Sequence, residues 1–375
     1  MLLKNCNIVF LDRIEKGSIL IEDGIIKEIN PSEINIQNTI DCKGLYVSPG
    51  FVDIHIHGAG GHDTMDGTFE SINEISKTIC KYGTTSFTPT TMTMSADDIL
   101  KSMISIKKAK IEGTDGAIVL GAHLEGPFIS PSAIGAQNPN YLIAPSYENF
   151  ELMTGNAMDA VVSITMAPEV EGAKELASIL SSKGIRCSMG HTKATYEQAI
   201  DGIKHGFCHS THLFNAMTGF THREPGVVGA TFDSDITTET ISDGIHISYP
   251  SLRVAYKQKG TDKTLLVTDA MCACGMPDGT YALGGQPVIV KNGAARLENG
   301  ALAGSILTLN RAVKNIYDNT DYPLYEIVKM ASYNGAKYCR VDDRKGQIKE
   351  NFDADLTIFD ENIDVKMTIV GGEIV

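Results

Sequence analysis

Hydrophobic and polar positions change period along this chain. From residue 1 to 49 the apolar positions recur every second residue in short runs, over Asn7–Leu11, Ser18–Glu22, Ile25–Ile29 and Leu45–Val47. That period puts alternate side chains on one face and predicts strands, with Asp23-Gly24 as a hairpin turn. The same texture returns at Gly346–Ile348, Leu356–Phe359 and Lys366–Val370. The two ends predict one small β-sandwich domain, residues 1–49 with 341–375.

The middle, 50–340, reads differently. Runs rich in β-branched residues predict buried strands at Phe51–Ile56, Thr84–Thr90, Ala117–Leu124, Ala160–Met166, Ile185–Gly190, Phe207–His212, Thr238–Ile245 and Thr264–Thr268. Helical periodicity falls between them: Phe69–Tyr82, a helix opened by Ser95 with Asp98 three residues on and running to about Lys110, Glu169–Ser182, Thr195–His205 and Ser251–Gln258. Strands alternating with helices give a parallel sheet, and this many favour closure into a (β/α)8 barrel of the α/β class.

Composition narrows the partners. With 42% hydrophobic and 21% charged residues the chain has ample core, and its net charge of −14 argues against nucleic acid or an anionic membrane surface. An anionic substrate would therefore need a local basic cluster. The eight cysteines lack paired spacing, Cys272-Ala-Cys274 being a weak metal signal, and read as reduced thiols of a cytoplasmic protein. The N-terminal Met-Leu-Leu-Lys-Asn-Cys carries no apolar run of signal-peptide length, and no stretch approaches a membrane span.

Candidate chemistry sits where barrel strands end, the face on which such folds gather their active sites. His55 and His57 lie two apart on strand one and so share a face, with Asp53 before them. Glu125 follows strand three, His191 strand five, His212 strand six and Asp269 strand eight. Singly each could cap a turn or pack in a core; together they form an imidazole and carboxylate set suited to a divalent cation such as zinc or iron. His209 reads as core, while His62, His123, His205 and His222 have no partner pattern. His246 follows strand seven, where barrels often bind phosphate. Asn215-Ala216 reads as the start of a short helix whose free N–H groups suit an anion. With Arg223 these residues would supply the positive spot. Residues 275–290 read either as a flap over the site or as a plain β-hairpin.

His-Leu-Glu-Gly-Pro-Phe at 123–128, Met-Gly-His-Thr-Lys-Ala-Thr-Tyr at 189–196, Thr-His-Leu-Phe-Asn-Ala-Met at 211–217 and Val-Thr-Asp-Ala at 267–270 resemble the N-acetylglucosamine-6-phosphate deacetylases of the amidohydrolase superfamily. The resemblance spans nearly the whole chain. It implies that Glu125, His191 and His212 hold a principal metal, that His55 and His57 provide for a second with Glu125 as bridge, and that Asp269 is the general base. It also implies phosphate contacts from Asn215, Ala216, Arg223 and His246, with Arg223 supplied to a neighbouring subunit of a homodimer or homotetramer. The family's frequent histidine near Asn-Pro after strand three, a carbonyl contact, is Gln137 here, which can donate a hydrogen bond but cannot act as an imidazolium. The implied reaction is metal-dependent release of acetate from N-acetylglucosamine 6-phosphate. Cyclic-amide hydrolases of the superfamily carry a bridging lysine after strand four, and Ala160–Pro168 contains none. The galactosamine epimer leaves no clear trace in sequence. A non-enzymatic scaffold would be expected to have lost ligands that this chain keeps.

Overall fold

The computed structural model describes residues 1–32 and 36–375. Eight central strands run parallel in chain order: Phe51–Ile56, Thr84–Thr91, Ala122–Glu125, Val161–Met166, Arg186–Met189, Phe207–Ser210, Thr237–Ile241 and Thr264–Val267. The ring closes as strand eight exits. Ile56 there bridges Ala270, and the Asp269 N–H donates to the His55 carbonyl at 2.8 Å. This is the expected (β/α)8 barrel.

The strands are buried on both sides because helices cover the outer face, which is why they read as continuous runs and not as alternation. Strand two, Thr84–Thr91, is buried at every position. The helix Phe69–Cys80 lays Ile72, Ile75 and Ile79 against the sheet at helical spacing. Its neighbours start where the sequence signals: the Ser95 side chain accepts from the Asp98 N–H, and Thr195 and Gln198 form a capping box. Strand three is shorter than expected. Gly121, at φ +145°, packs so closely on Ala160 that a Cβ would meet its carbonyl oxygen at 2.4 Å, and the strand resumes only at Ala122.

Segments from both termini share one further sheet, in which Tyr46–Pro49 pairs antiparallel with Leu356–Phe359. Asp23 and Gly24 have φ of +51° and +78°, the two positive values a type I′ hairpin requires. Gly24 lies against Gly371 and Gly372, so the outermost hairpins meet and the sheet wraps over a core of Leu3, Ile8, Ile19, Ile26, Leu356 and Ile369. Gly346–Ile348 is not a strand; Ile348 fills this core from a loop. The first strand begins at Leu2 and ends at Val9, because the chain turns over Phe10 to Arg13. Phe359 joins the two sheets, stacked on Tyr46 with ring centroids 5.7 Å apart and tilted against Phe51 of strand one at 6.4 Å.

After strand eight, Gly279–Leu283 and Gln286–Lys291 form an antiparallel hairpin that Ala294–Leu297 extends to three strands. The hairpin alternative for 275–290 thus describes the backbone. Gln286 Nε2 donates to the Ala136 carbonyl at 2.7 Å, tying the hairpin to the loop after strand three.

Candidate metal centre and active site

The strand-end residues converge. One ligand atom each from His55, His57 and Glu125 lie within 4.8 Å of one another, as do those of Glu125, His191 and His212. Glu125 belongs to both groups. Its Oε1 is 3.1 Å from His212 Nε2, 3.3 Å from His191 Nε2 and 3.4 Å from His55 Nε2, while Oε2 is 3.3 Å from His57 Nε2. Asp269 Oδ1 stands 3.2 Å from His57 Nε2 and 3.6 Å from His55 Nε2. Asp53 lies off this cluster, accepting from Thr268 Oγ1 at 2.6 Å and so tying strand one to strand eight.

The backbone aims these groups. His191, His212 and Asp269 have φ of +47°, +29° and +48°, a region non-glycine residues seldom occupy and one that marks functional sites. Each lies just past the end of its strand. Surrounding hydrogen bonds hold the conformations: Ser305 N–H donates to the Asp269 carbonyl at 2.7 Å, and His212 N–H donates to Glu239 Oε1 at 3.0 Å.

The imidazoles are oriented from behind. His55 Nδ1 donates to Glu239 Oε1 at 2.5 Å, His57 Nδ1 to the Thr90 carbonyl at 3.2 Å and His191 Nδ1 to the Ala133 carbonyl at 3.0 Å. In each ring, when neutral, this makes Nε2 the atom whose lone pair faces the cluster. His55 Nε2 is fully buried and has no hydrogen-bond partner. An orphaned lone pair amid imidazoles and carboxylates fits a divalent cation, and the donor chemistry suits zinc or iron.

Electrostatics agree with a site built for positive charge. Burial opposes a charge on His55, but Glu239, Asp269 and Glu125 outweigh it and raise its pKa to about 9. His57 is likewise raised well above the usual range, by Asp269 and Glu125 against burial. Burial would push Glu125 and Asp269 up; nearby imidazoles hold both below the ordinary carboxylate range. His123 stacks edge-on against His55 with centroids 4.6 Å apart. Burial, helped by the charge of His55, lowers its pKa to about 3, so it stays neutral.

A cavity of about 420 Å³ opens on this cluster, within the range of small-molecule sites. Gln137, Asn215, Ala216 and His246 line it together with His57, Glu125, His191, His212 and Asp269. His246 is fixed by Asp243, whose Oδ2 accepts from Nδ1 at 2.7 Å. Asn215-Ala216 forms a turn and no helix, with φ of +75° at Phe214 and +48° at Ala216. Arg223 is not brought in: it stands exposed in the loop before the Gly226–Asp233 helix and does not line the cavity. The Gln137 amide is engaged inside the site, Nε2 donating to Glu125 Oε2 at 2.5 Å and Oε1 accepting from Thr93 N–H at 2.7 Å. The sequence reading missed Glu239. A carboxylate inside an otherwise Thr- and Ile-rich strand was the available signal.

The amidohydrolase family profile matches residues 46–375. The chain belongs to the amidohydrolase family. Among curated relatives, it is 39% identical to an N-acetylglucosamine-6-phosphate deacetylase of Lysinibacillus sphaericus, over 100% of this chain and 97% of that protein. It is 31% identical to an N-acetylgalactosamine-6-phosphate deacetylase of Escherichia coli O157:H7, over 96% and 95% of the two. Among solved structures, that of N-acetylglucosamine-6-phosphate deacetylase from Pasteurella multocida superposes with a TM-score of 0.94 at 32% identity, covering 100% and 99%. A mutant of the Mycobacterium smegmatis enzyme in complex with N-acetyl-D-glucosamine-6-phosphate gives 0.93 at 28% identity, covering 100% and 98%. The resemblance read from the motifs is thereby borne out.

Proposed function

We propose that this chain hydrolyses the acetamide of N-acetylglucosamine 6-phosphate to glucosamine 6-phosphate and acetate, as a cytoplasmic enzyme of amino-sugar catabolism. One observation carries the reading: an acid–base carboxylate, Asp269, stands beside a Glu125-centred imidazole cluster at the mouth of a cavity whose lining includes His246 and the Asn215-Ala216 turn. The deacetylase relatives, aligned over essentially the full chain, support it.

In this reading Glu125, His191 and His212 hold the principal cation, and His55 and His57 with Glu125 hold a second; zinc or iron suits these donors. A cation held there would supply Lewis acidity toward an amide carbonyl and lower the pKa of water toward neutrality. Asp269, kept ionised by the neighbouring imidazoles, takes the proton of the attacking water. It then delivers that proton to the departing nitrogen, because an amine anion is not a viable leaving group. Gln137 fixes the Glu125 carboxylate with one N–H, and its other N–H, now 3.6 Å from the weak acceptor Met92 Sδ, would turn to the acetyl oxygen.

Asn215, Ala216 and His246 receive the phosphate at the other part of the cavity. Arg223 completes that pocket in a neighbouring copy of the chain, since it is exposed and outside its own cavity. An apolar patch that includes Phe220 and Pro225 from the same loop, with Phe220 60% exposed beside Phe232 and Val254, supports a homodimer or homotetramer.

Acetate release tests the reading, on protein of measured metal content, with the 6-phosphates of N-acetylglucosamine and N-acetylgalactosamine and with the unphosphorylated sugar. We expect turnover of the glucosamine phosphate above both others. The galactosamine arm is included because a relative carries that name. No acetate from either phosphate would refute the proposal.

A further inference from the structure

Glu239 is a buried carboxylate on barrel strand seven that does not itself line the cavity. The three donors to its carboxylate all belong to the machinery around the cluster. Oε1 accepts from His55 Nδ1 at 2.5 Å and from the His212 backbone N–H at 3.0 Å; Oε2 accepts from His209 Nε2 at 3.2 Å. His209 is itself fixed, because its Nδ1 meets Thr237 Oγ1 at 2.7 Å and its ring lies against Tyr338 with centroids 4.6 Å apart. The line Thr237, His209, Glu239 thus runs up the barrel interior and ends on two metal-ligand candidates.

Resting on the metal-dependent reading above, we propose that Glu239 is the positioning residue that commits the His55/His57/Glu125 group to holding a second cation. Two consequences of its geometry carry this. Accepting from Nδ1 keeps the proton of the neutral, cation-binding His55 on that nitrogen and so assigns the lone pair to Nε2, the atom that is buried without a partner. Accepting also from the His212 amide pins the residue at φ +29°, so one carboxylate oxygen joins the two groups that share Glu125. A carboxylate that merely satisfied packing would not need donors from both. His209 and Thr237 hold Glu239 in the rotamer that reaches them.

The experiment titrates metal-free protein with Co²⁺, following d–d absorption and bound metal per chain at equilibrium. We expect two equivalents for the unaltered chain. Glu239→Met, which keeps side-chain bulk but no acceptor, should weaken the second equivalent about 10- to 100-fold, the usual effect of removing such an outer partner. Glu239→Gln retains an acceptor oxygen and should recover part of the loss. A purely structural role would lower melting temperature without separating the two equivalents. Imidazole ¹⁵N spectra of the unaltered, Zn²⁺-loaded protein provide a check that needs no variant: His55 should carry its proton on Nδ1. A single equivalent in the unaltered chain, equal second-site affinity in both variants, or a His55 protonated on Nε2 would each overturn the proposal. Acetate release by the unaltered chain is measured separately, so deacetylase activity with unaffected metal binding would refute the role of Glu239 alone.

Discussion

Replacing Asp269 by Asn isolates proton transfer from everything else the residue does. Asn has the same shape, and like Asp it tolerates left-handed backbone, so the φ of +48° adds no strain that Ala would introduce. Its side-chain oxygen can stay near His57 Nε2, now 3.2 Å from Asp269 Oδ1. What is lost is a group able to accept a proton and return it. General acid–base catalysis contributes about 10²- to 10⁴-fold, or about 3–5 kcal/mol at 1.36 kcal/mol per decade. Because the proposed mechanism uses Asp269 in both the attack and the departure of the amine, the upper half of that range is expected. Steady-state acetate release should show kcat down by about 10³- to 10⁴-fold, with KM within a few-fold and bound metal per chain unchanged. Turnover within tenfold of the unaltered chain would remove Asp269 from the proton path.

On the proposed reading, Arg223→Ala would remove a charge-assisted contact to phosphate worth about 1.5–3 kcal/mol. KM for the phosphorylated sugar should rise about 10- to 150-fold with the unphosphorylated sugar unaffected, and equal effects on both would refute the phosphate role. His55, raised to about 9, is protonated in the metal-free protein at pH 7. Its charged form adds stability below the ordinary histidine value of 6.5, and that contribution is lost as pH rises through about 9. A cation needs the neutral imidazole, so binding at pH 7 should release protons and tighten as pH rises toward 9. Calorimetric titration in buffers of different ionisation enthalpy measures this, and a buffer-independent heat would contradict it. Phe359→Ala opens a hole between Tyr46 and Phe51 and should cost about 3–5 kcal/mol in denaturant unfolding; a loss under 1 kcal/mol would mean that the joint between the two sheets is not where stability resides.

Much of the site lay open in the sequence. His55 and His57 share a face because a strand has a period of two, and nothing further along the chain can alter that. The eight strand-like runs and the helices between them permit few topologies, and closure places every strand end on one rim. Glu125, His191, His212 and Asp269 were therefore legible as a set, although each alone had an ordinary reading. Helix starts at Ser95 and Thr195 were legible for the same local reason: a side-chain oxygen beside free N–H groups.

Other features depended on atoms far apart in the chain. Glu239 and His55 are separated by 184 positions, so only barrel closure makes the carboxylate an orienting group and not a solvated charge. His209 looked like packing and is indeed buried, but its partner Glu239 gives that burial a direction. Gln137 could be placed near the carbonyl by motif, while its bond to Glu125 needed the loop to fold back over strand three. At Asn215-Ala216 the polar texture read as a helix start, and the tertiary hydrogen bond from Thr192 N–H to the Ala216 carbonyl holds a turn instead. The sequence alone determined which residue types stand at which strand ends, since periodicity and local capping are short-range properties. Which nitrogen of His55, His57 and His191 is left free, and what grips each ring from behind, was decided only by tertiary packing, because hydrogen-bond direction depends on groups that meet only once the barrel closes.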